Sequence, residues 1–356
     1  MKTLLRLMIV ICLTVLPFTS NASCLDQARL TGVNVAGAEF GTLLPGKAFK
    51  DYVYPNATEL GYIASRGANV IRLPFRWERL QHEAKGPLDA AELKLIQATV
   101  DTAKSKGICV MLDVHNYAKY YSDSLASNSA LQDAFIDVWL KLAQVFTDAD
   151  AAAFDLMNEP ANMPIGEWAA LGKRTLAELR AAKSTNLIFL AGGRWSGAHD
   201  WFGGATGVSN AIAFADVKDP LNRTIIEVHQ YADKNFSGTD AECRPASDFD
   251  AIFNNLTAWA KTSQQQLFLG EFGVPPNQNC LNTLTHMLDL LDPTIWKGST
   301  YWAAGSWWGA YPLAISTKPD IVSPQWQILV DHFYINRQAS SSSSAAPPLP
   351  PTQLTQ

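Results

Sequence analysis

The feature that most constrains the fold of this chain is a regular alternation of short apolar runs with longer amphipathic segments. Eight runs have the length and residue types of buried strands, and they span residues 30–35, 68–73, 108–114, 151–157, 187–191, 224–228, 267–270 and 299–302. Helical spacing or irregular sequence fills each interval, and no Asn-Gly hairpin signal interrupts the series. Such an alternation predicts a parallel sheet with helices packed against it.

The number of units favours a closed sheet over an open one. Eight units within residues 23–336 fit a single (β/α)8 (TIM) barrel, an α/β fold, better than a doubly wound sheet. The open sheet remains an alternative, although the sequence at 32–37, Gly-Val-Asn-Val-Ala-Gly, lacks the G-x-G-x-x-G spacing of a dinucleotide-binding turn. We found no motif for a cofactor, and we expect none.

The two ends of the chain differ in composition from the barrel region. Residues 1–22 combine a basic start, an apolar run at 7–18 and small residues before a plausible cut after Ala22, which predicts a secretory signal peptide. A membrane anchor is the alternative, but the run is shorter than the ~20 apolar residues of a spanning helix. Residues 337–356 are rich in Ser and Pro and predict a disordered linker or tail. We therefore expect a secreted, extracellular protein.

The charge of the chain limits its partners. The sequence has 28 Lys and Arg against 33 Asp and Glu, a formal net charge of -5 at pH 7, and loss of the signal peptide makes it more negative. An acidic chain without a Lys- or Arg-rich patch argues against nucleic acid and anionic membranes as partners. We expect a monomer whose partner is its substrate.

The cysteines are compatible with an exported protein. Cys12 belongs to the predicted signal peptide, and Cys24, Cys109, Cys243 and Cys280 remain in a compartment that permits disulfides. Their spacing does not match a metal-binding knuckle. Cys109 lies inside an apolar strand-like run, which is typical of a buried free thiol.

Polar and aromatic residues gather where the predicted strands end. They are Arg72 after the second run, His115, Asn116 and Tyr117 after the third, Asn158 and Glu159 after the fourth, Arg194 and Trp195 after the fifth, His229 and Tyr231 after the sixth, Glu271 after the seventh and Trp302 in the eighth. One His, Arg or Trp at a strand end is usually structural. A set that follows nearly every strand indicates one shared site, because active sites of such barrels lie at the carboxyl ends of the strands.

Two glutamates dominate this predicted site. Glu159 follows the run at 151–157, and Pro160 then prevents the strand from continuing. Glu271 follows the run at 267–270. Two carboxylates with aromatic and amide neighbours favour glycosidic hydrolysis, in which one acid protonates the leaving oxygen and the other carboxylate attacks the anomeric carbon or activates water. Retention requires the two carboxyl groups to lie about 5–5.5 Å apart.

The motifs, taken in order, resemble those of glycoside hydrolase family 5, and in particular its secreted endo-β-1,4-glucanases (cellulases). The matching stretches lie at residues 32–37, 72–74 (Arg-Leu-Pro), 113–118 (Asp-Val-His-Asn-Tyr-Ala), 157–160 (Met-Asn-Glu-Pro), 228–231, 270–271 and 302–306 (Trp-Ala-Ala-Gly-Ser). The resemblance extends from residue 32 to about residue 333. It implies a retaining double displacement on internal β-1,4-glucosidic bonds, with a β-glucan as partner and without a metal.

The resemblance also implies a role for each matching residue. Glu159 resembles the acid/base and Glu271 the nucleophile. Arg72 and Tyr231 resemble the groups that orient Glu271 and keep it ionised. The other matches are Asn158 as partner of the sugar 2-hydroxyl, His115 and His229 beside the cleaved bond with His229 tuning Glu159, Trp302 under the sugar on the non-reducing side, and Trp77 and Trp195 as further platform positions. Asn116 and Tyr117, at the end of the third run, are additional candidate substrate-binding residues.

Cysteines in the same context in fungal members of the family imply a disulfide between Cys243 and Cys280. Two alternatives remain for the function. The same retaining chemistry could act on mannan, xyloglucan or mixed-linkage glucan. The protein could instead bind carbohydrate without cleaving it, although the presence of both glutamates argues against that class.

Overall fold

The computed structural model describes residues 23–204 and 207–343 of the chain, and its side chains as far as residue 335. The predicted signal peptide at residues 1–22 lies outside the described residues, as does most of the predicted tail, residues 344–356.

Eight parallel strands close into a barrel. They are β1 Leu30–Val35, β2 Val70–Phe75, β3 Cys109–Val114, β4 Ala152–Asp155, β5 Ile188–Ala191, β6 Thr224–His229, β7 Leu267–Glu271 and β8 Trp296–Ala304. Strands adjacent in sequence are adjacent in the barrel, and β1 pairs with β8 to close it. At Gly32, for example, β1 pairs with Thr300 on one side and Val70 on the other. The prediction of a single (β/α)8 barrel is confirmed, and each predicted run overlaps one strand.

Helices cover the outside of the barrel. The longer ones are α1 Ala57–Ser65, α2 Ala90–Lys104, α3 Ser129–Val145, α4 Ile165–Ala181, α5 Asp250–Ser263, α6 Gln278–Asp289 and α7 Gln325–Ser343. The sequence determines where they begin. At α1, the Asn56 side chain accepts the Glu59 backbone N–H at 3.1 Å, and the Glu59 carboxylate accepts the Asn56 N–H at 3.0 Å. This capping box satisfies donors that the first helical turn leaves free.

The inside of the barrel changes character along its axis. Near the amino ends of the strands, an apolar cluster fills it, formed by residues that include Val70, Met111, Phe189 and Phe268. One step of two residues further along β2 and β3, the buried side chains are Arg72 and Asp113. Because alternate residues of a strand point to the same face, the polar layer stands directly above the apolar one, toward the carboxyl ends.

Two disulfides join distant parts of the chain. The predicted pair Cys243–Cys280 is present, with a Cα–Cα distance of 5.2 Å, so that prediction is confirmed. The prediction of a free thiol at Cys109 is wrong, because Cys109 pairs with Cys24. The segment before β1 brings Cys24 to the amino end of β3, and the Cys24 backbone N–H donates to Asp150 O at 2.9 Å.

The last helix extends further than predicted. α7 continues to Ser343, past the predicted domain boundary at residue 336. Once a packed helix has formed, each further residue adds one hydrogen bond without a new nucleation cost. Within the described ranges, no helix combines the length and apolar character needed to cross a membrane.

Candidate active site

The two predicted glutamates meet at the carboxyl-end rim of the barrel. Glu271 is the last residue of β7, and Glu159 follows β4. A carboxylate oxygen of each lies, with a ring nitrogen of His229, in a group whose atoms are all within 4.8 Å of one another. This short distance fits a retaining pair and is shorter than the roughly 6.5–9.5 Å at which an inverting pair accommodates a water.

Glu271 is held in its ionised form by the residues around it. The side chain is nearly buried, and Arg72 Nη1 donates to Oε1 at 2.8 Å while the Tyr231 hydroxyl donates to Oε2 at 2.7 Å. Burial by itself raises the pKa of Glu271, but the charges of His229 and Arg72 outweigh it and hold the pKa below its usual value. An ionised carboxylate with fixed oxygens is suited to nucleophilic attack.

Glu159 is shifted in the opposite direction. Burial raises its pKa most, the hydrogen bond with His229 Nδ1 at 2.9 Å lowers it in part, and the charge of Glu271 raises it again, so the pKa stays above its usual value. Its backbone φ is 42°, a conformation that non-glycine residues adopt at a cost and that is frequent at functional sites. Glu159 therefore has the properties of a proton donor.

Arg72 connects the nucleophile to the residue beside the acid. Its guanidinium is fully buried, and Nη2 donates to Asn158 Oδ1 at 2.9 Å while Nη1 also donates to Asn34 Oδ1 at 3.0 Å. The Asn158 amide nitrogen lies 3.2 Å from His115 Nε2. Through Arg72, this network links the Asn158 side chain to Glu271.

His115 and Trp302 form one wall of the site. Their rings stack with centroids 5.6 Å apart and an angle of 14° between their planes. His115 Nδ1 hydrogen-bonds to Asp113 Oδ2 at 2.7 Å, and the Tyr117 hydroxyl lies 3.2 Å from Nε2. Burial lowers the pKa of His115, but the carboxylates around it, Asp113 foremost, together hold the pKa above its usual value. The contact with His115 thus places the Tyr117 hydroxyl at the site.

Two predicted substrate-binding residues do not face the site. Trp77 is fully buried, its indole N–H donates to Gln81 Oε1 at 2.9 Å, and its ring packs against Tyr120, so the prediction of a platform at Trp77 is wrong. Asn116 is also buried. Its side chain accepts the Trp77 backbone N–H at 2.8 Å and donates to Glu78 at 2.8 Å, which makes it a support for the short helix Trp77–Leu80 rather than a contact for a sugar.

Trp195 is presented to solvent on the rim after β5. Its side chain is 57% exposed. The three consecutive residues Arg194, Trp195 and Ser196 all have left-handed φ angles of 54–58° and form a tight turn after β5. An exposed indole on the same rim as the two glutamates has the placement expected of a sugar-stacking platform.

The charged layer beneath the site was not predicted from the sequence. Asp113 and Glu227 each stand two residues before a site histidine, in Asp113-Val-His115 and Glu227-Val-His229. Because strand residues two apart share a face, this spacing was a readable indication that each histidine has a carboxylate below it. Asp155, at the end of β4, completes the layer.

Among the described residues, Glu159, His229 and Glu271 are also the one group of three side chains close enough together to hold a metal ion. Ion pairs and hydrogen bonds within the site already explain why these three side chains lie together. Arg72 Nη1 lies 2.8 Å from Glu271, and that positive charge opposes a second cation at the same carboxylate. The residues present fit a proton-transfer pair better than a metal site.

A (β/α)8 barrel with two adjacent rim carboxylates, whose pKa values are displaced in opposite directions, is the arrangement of a retaining glycoside hydrolase. The comparison with known families agrees. The chain belongs to glycosyl hydrolase family 5, because the model of that family, described as cellulase (glycosyl hydrolase family 5), matches residues 27–308.

Similar proteins come from fungi and bacteria. The chain is 31% identical over 292 residues to endo-beta-1,4-glucanase B of Aspergillus niger, covering 81% of this chain and 85% of that protein. It is 39% identical to an endo-beta-1,4-glucanase of Xanthomonas axonopodis pv. citri of known crystal structure, with a TM-score of 0.84 and coverage of 86% and 99%. A structure of XacCel5A in complex with cellopentaose is 39% identical, with a TM-score of 0.83 and coverage of 86% and 100%.

Proposed function

We propose that this protein is an endo-β-1,4-glucanase that hydrolyses internal β-1,4-glucosidic bonds of cellulose and related β-glucans with retention of configuration. The observation that carries the proposal is the pair of oxygens of Glu159 and Glu271 within 4.8 Å across one cleft. Relatives that act as endo-β-1,4-glucanases, and one that binds cellopentaose, support the choice of substrate.

In the first step of the reaction, a Glu271 oxygen attacks the anomeric carbon and forms a glycosyl ester. The bond to the leaving oxygen breaks, and Glu159 transfers its proton to that oxygen. In the second step, Glu159, now ionised, takes a proton from water while the water oxygen attacks the same carbon. The ester bond breaks, Glu271 becomes ionised again, and the two inversions give net retention.

Other residues of the site have supporting roles in this proposal. Asn158, held by Arg72, accepts or donates a hydrogen bond at the sugar 2-hydroxyl, a contact that strengthens toward the transition state. Trp302 stacks under the sugar on the non-reducing side, and Trp195 offers a second platform. Stacking provides most of the affinity, because one half-buried indole face contributes about 2–3 kcal/mol, whereas a sugar hydrogen bond adds about 1 kcal/mol net.

The proposal includes a monomer that acts outside the cell on polysaccharide. Two disulfides support this location, because disulfides persist in oxidising compartments. A panel of purified polysaccharides tests the substrate. We expect the highest initial rate on β-1,4-glucan, with viscosity of carboxymethylcellulose falling faster than reducing ends appear. A higher rate on mannan, xyloglucan or mixed-linkage glucan would assign the same chemistry to that polymer.

Leaving-group dependence tests the two roles. Glu159→Ala should reduce kcat/KM by about 10²–10⁴-fold on unactivated cello-oligosaccharides, and far less on aryl cellobiosides whose leaving group needs no proton. Glu271→Gln should abolish turnover of both. Glu178→Ala, at an exposed glutamate on α4, is the matched control and should leave both rates unchanged. Equal losses on both substrates in Glu159→Ala would contradict its role as the acid.

A further inference from the structure

Four carboxylates surround one guanidinium below the active site. Arg72 Nη1 lies 2.8 Å from Glu271 and 3.1 Å from Asp113, and Arg72 Nε lies 2.6 Å from Asp155 and 3.2 Å from Glu227. The side chains of Arg72 and of the three lower carboxylates are fully buried. A single positive charge cannot compensate four buried negative charges, and a carboxylate without compensation becomes protonated instead.

Three of the four carboxylates have a second partner. These are Tyr231 for Glu271, His115 for Asp113 and His229 for Glu227. Asp155 differs, because Arg72 is the one positively charged group that the described structure places beside it. Asp155 is therefore the member of the layer that most needs a proton to remain buried.

The position of Glu227 shows where that proton can lie. Asp155 Oδ2 and Glu227 Oε1 lie 2.6 and 3.2 Å from the same atom, Arg72 Nε, so the two carboxyl groups are neighbours. Two ionised carboxylates have no donor to offer each other, so a hydrogen bond between these neighbours requires one proton. In the described structure, Asp155 Oδ1 and Glu227 Oε2 are both buried without a donor. Gly270 leaves the space that Glu227 fills, because a Cβ there would lie 1.7 Å from Glu227 Oε1.

We propose that Asp155 and Glu227 share one buried proton, and that this pair positions the acid/base Glu159 through His229. Glu227 Oε1 lies 3.4 Å from His229 Nε2, and His229 Nδ1 lies 2.9 Å from Glu159 Oε1. Hydrogen bonds thus run from the Asp155–Glu227 pair through His229 to Glu159, the group that gives its proton to the leaving oxygen. The shared proton stays on the pair through both steps of the reaction. This inference rests on the proposed role of Glu159.

Sharing a proton fixes the charge beneath His229. With Asp155 neutral, the pair carries one negative charge, which favours the protonated imidazole of His229. Burial and the neighbouring Glu227 raise the pKa of Asp155, with Asp113 adding to the rise and Arg72 opposing it. For Glu227, burial raises the pKa, but Arg72 and His229 bring it down to about 2. Opposite shifts within one pair are what a shared proton produces.

Two isosteric variants distinguish a neutral Asp155 from an ionised one. Asp155→Asn keeps an acceptor for Arg72 and a donor for Glu227, and it removes no charge if Asp155 is already neutral. Glu227→Gln removes the negative charge below His229, so His229 and Glu159 bind protons less tightly. We expect the alkaline limb of kcat/KM to keep its position in Asp155→Asn and to move to lower pH by about 1–2 units in Glu227→Gln.

If the alkaline limb of kcat/KM moves equally in Asp155→Asn and Glu227→Gln, Asp155 is ionised, and the inference is overturned. Neutron diffraction of the wild type at neutral pH is independent of activity and of whether the variants fold. Deuterium between the two carboxyl groups is expected, and its absence would equally overturn the shared proton. The leaving-group experiment on Glu159→Ala tests the proposed function independently, because it changes neither Asp155 nor Glu227. A failure of the proposed function can therefore be told apart from a failure of the shared proton.

Discussion

At the scale of single residues, the site depends on two carboxyl groups of the same chemistry in different surroundings. Glu271 faces Arg72 and Tyr231, whereas Glu159 faces His229 and the negative charge of Glu271 itself. Burial raises both pKa values, and the neighbouring charges then separate them. The proposed assignment of Glu271 as nucleophile and Glu159 as acid rests on this separation.

Removal of the Tyr231 hydroxyl tests this explanation. A hydrogen bond to a charged group contributes about 1.5–3 kcal/mol, and 1.36 kcal/mol corresponds to one pKa unit. Because that bond stabilises the ionised form, Tyr231→Phe raises the pKa of Glu271, and the nucleophile becomes protonated at higher pH. We expect the acidic limb of the kcat/KM profile to move up by about 1–2 units.

Tyr52→Phe is the control for this experiment. Tyr52 donates to Glu92 Oε2 at 2.6 Å, so the variant removes a tyrosine–carboxylate hydrogen bond at the base of α2 instead of in the site. It should leave the acidic limb where it is. An unshifted limb in Tyr231→Phe, or an equal shift in both variants, would show that the Tyr231 hydrogen bond does not set the protonation of Glu271.

At the scale of elements, the strands and their ends were largely predictable. A buried strand leaves a continuous apolar run, and the polar residue after it marks the rim, which is how Glu159, Glu271 and Arg72 could be placed. Trp77 was misplaced because the resemblance gives a position in the chain but not the direction of a side chain. The short helix that begins at Trp77 turns the indole inward, and Asn116 anchors its backbone. The paired carboxylates below the rim depend on contacts between strands, which one sequence does not display.

The turn after β5 gives a prediction at this scale. The left-handed run at Arg194–Ser196 exposes Trp195 on the rim, where we expect it to stack on a sugar. Trp195→Ala should raise KM for cellopentaose by roughly 10–100-fold, as expected for a loss of about 1.4–2.8 kcal/mol, with little change in kcat. Ile335→Ala, at a residue 64% exposed on α7, should change neither value. An unchanged KM in Trp195→Ala would exclude it as a platform.

At the scale of the whole molecule, the two disulfides brace opposite ends of the barrel. Cys109 begins β3 at the amino end, and Cys243–Cys280 links the connections that follow β6 and β7. The Cys24–Cys109 pair was not predictable, because it depends on the path of the segment before β1. The extension of α7 to Ser343 was not predictable either, because composition alone does not reveal where a packed helix ends.

Removal of the disulfide at the amino end should affect stability and leave catalysis unchanged. The bond closes an interval of 85 residues far from the rim. A Cys24→Ser/Cys109→Ser double variant should lose about 2–5 kcal/mol of unfolding free energy in denaturant titration, with an unchanged kcat at low temperature. A large fall in kcat in the folded variant would show that the amino end of the barrel influences the site.

The identity of the nucleophile is the central claim, and covalent trapping tests it most directly. A cellobioside with fluorine at C2 and an activated leaving group forms the glycosyl ester readily but hydrolyses slowly, because the fluorine destabilises both transition states. Peptide mapping by mass spectrometry should find the added disaccharide on Glu271. A label on Glu159 or on any other residue, or turnover of this substrate without any covalent label, would contradict the double displacement proposed for this protein.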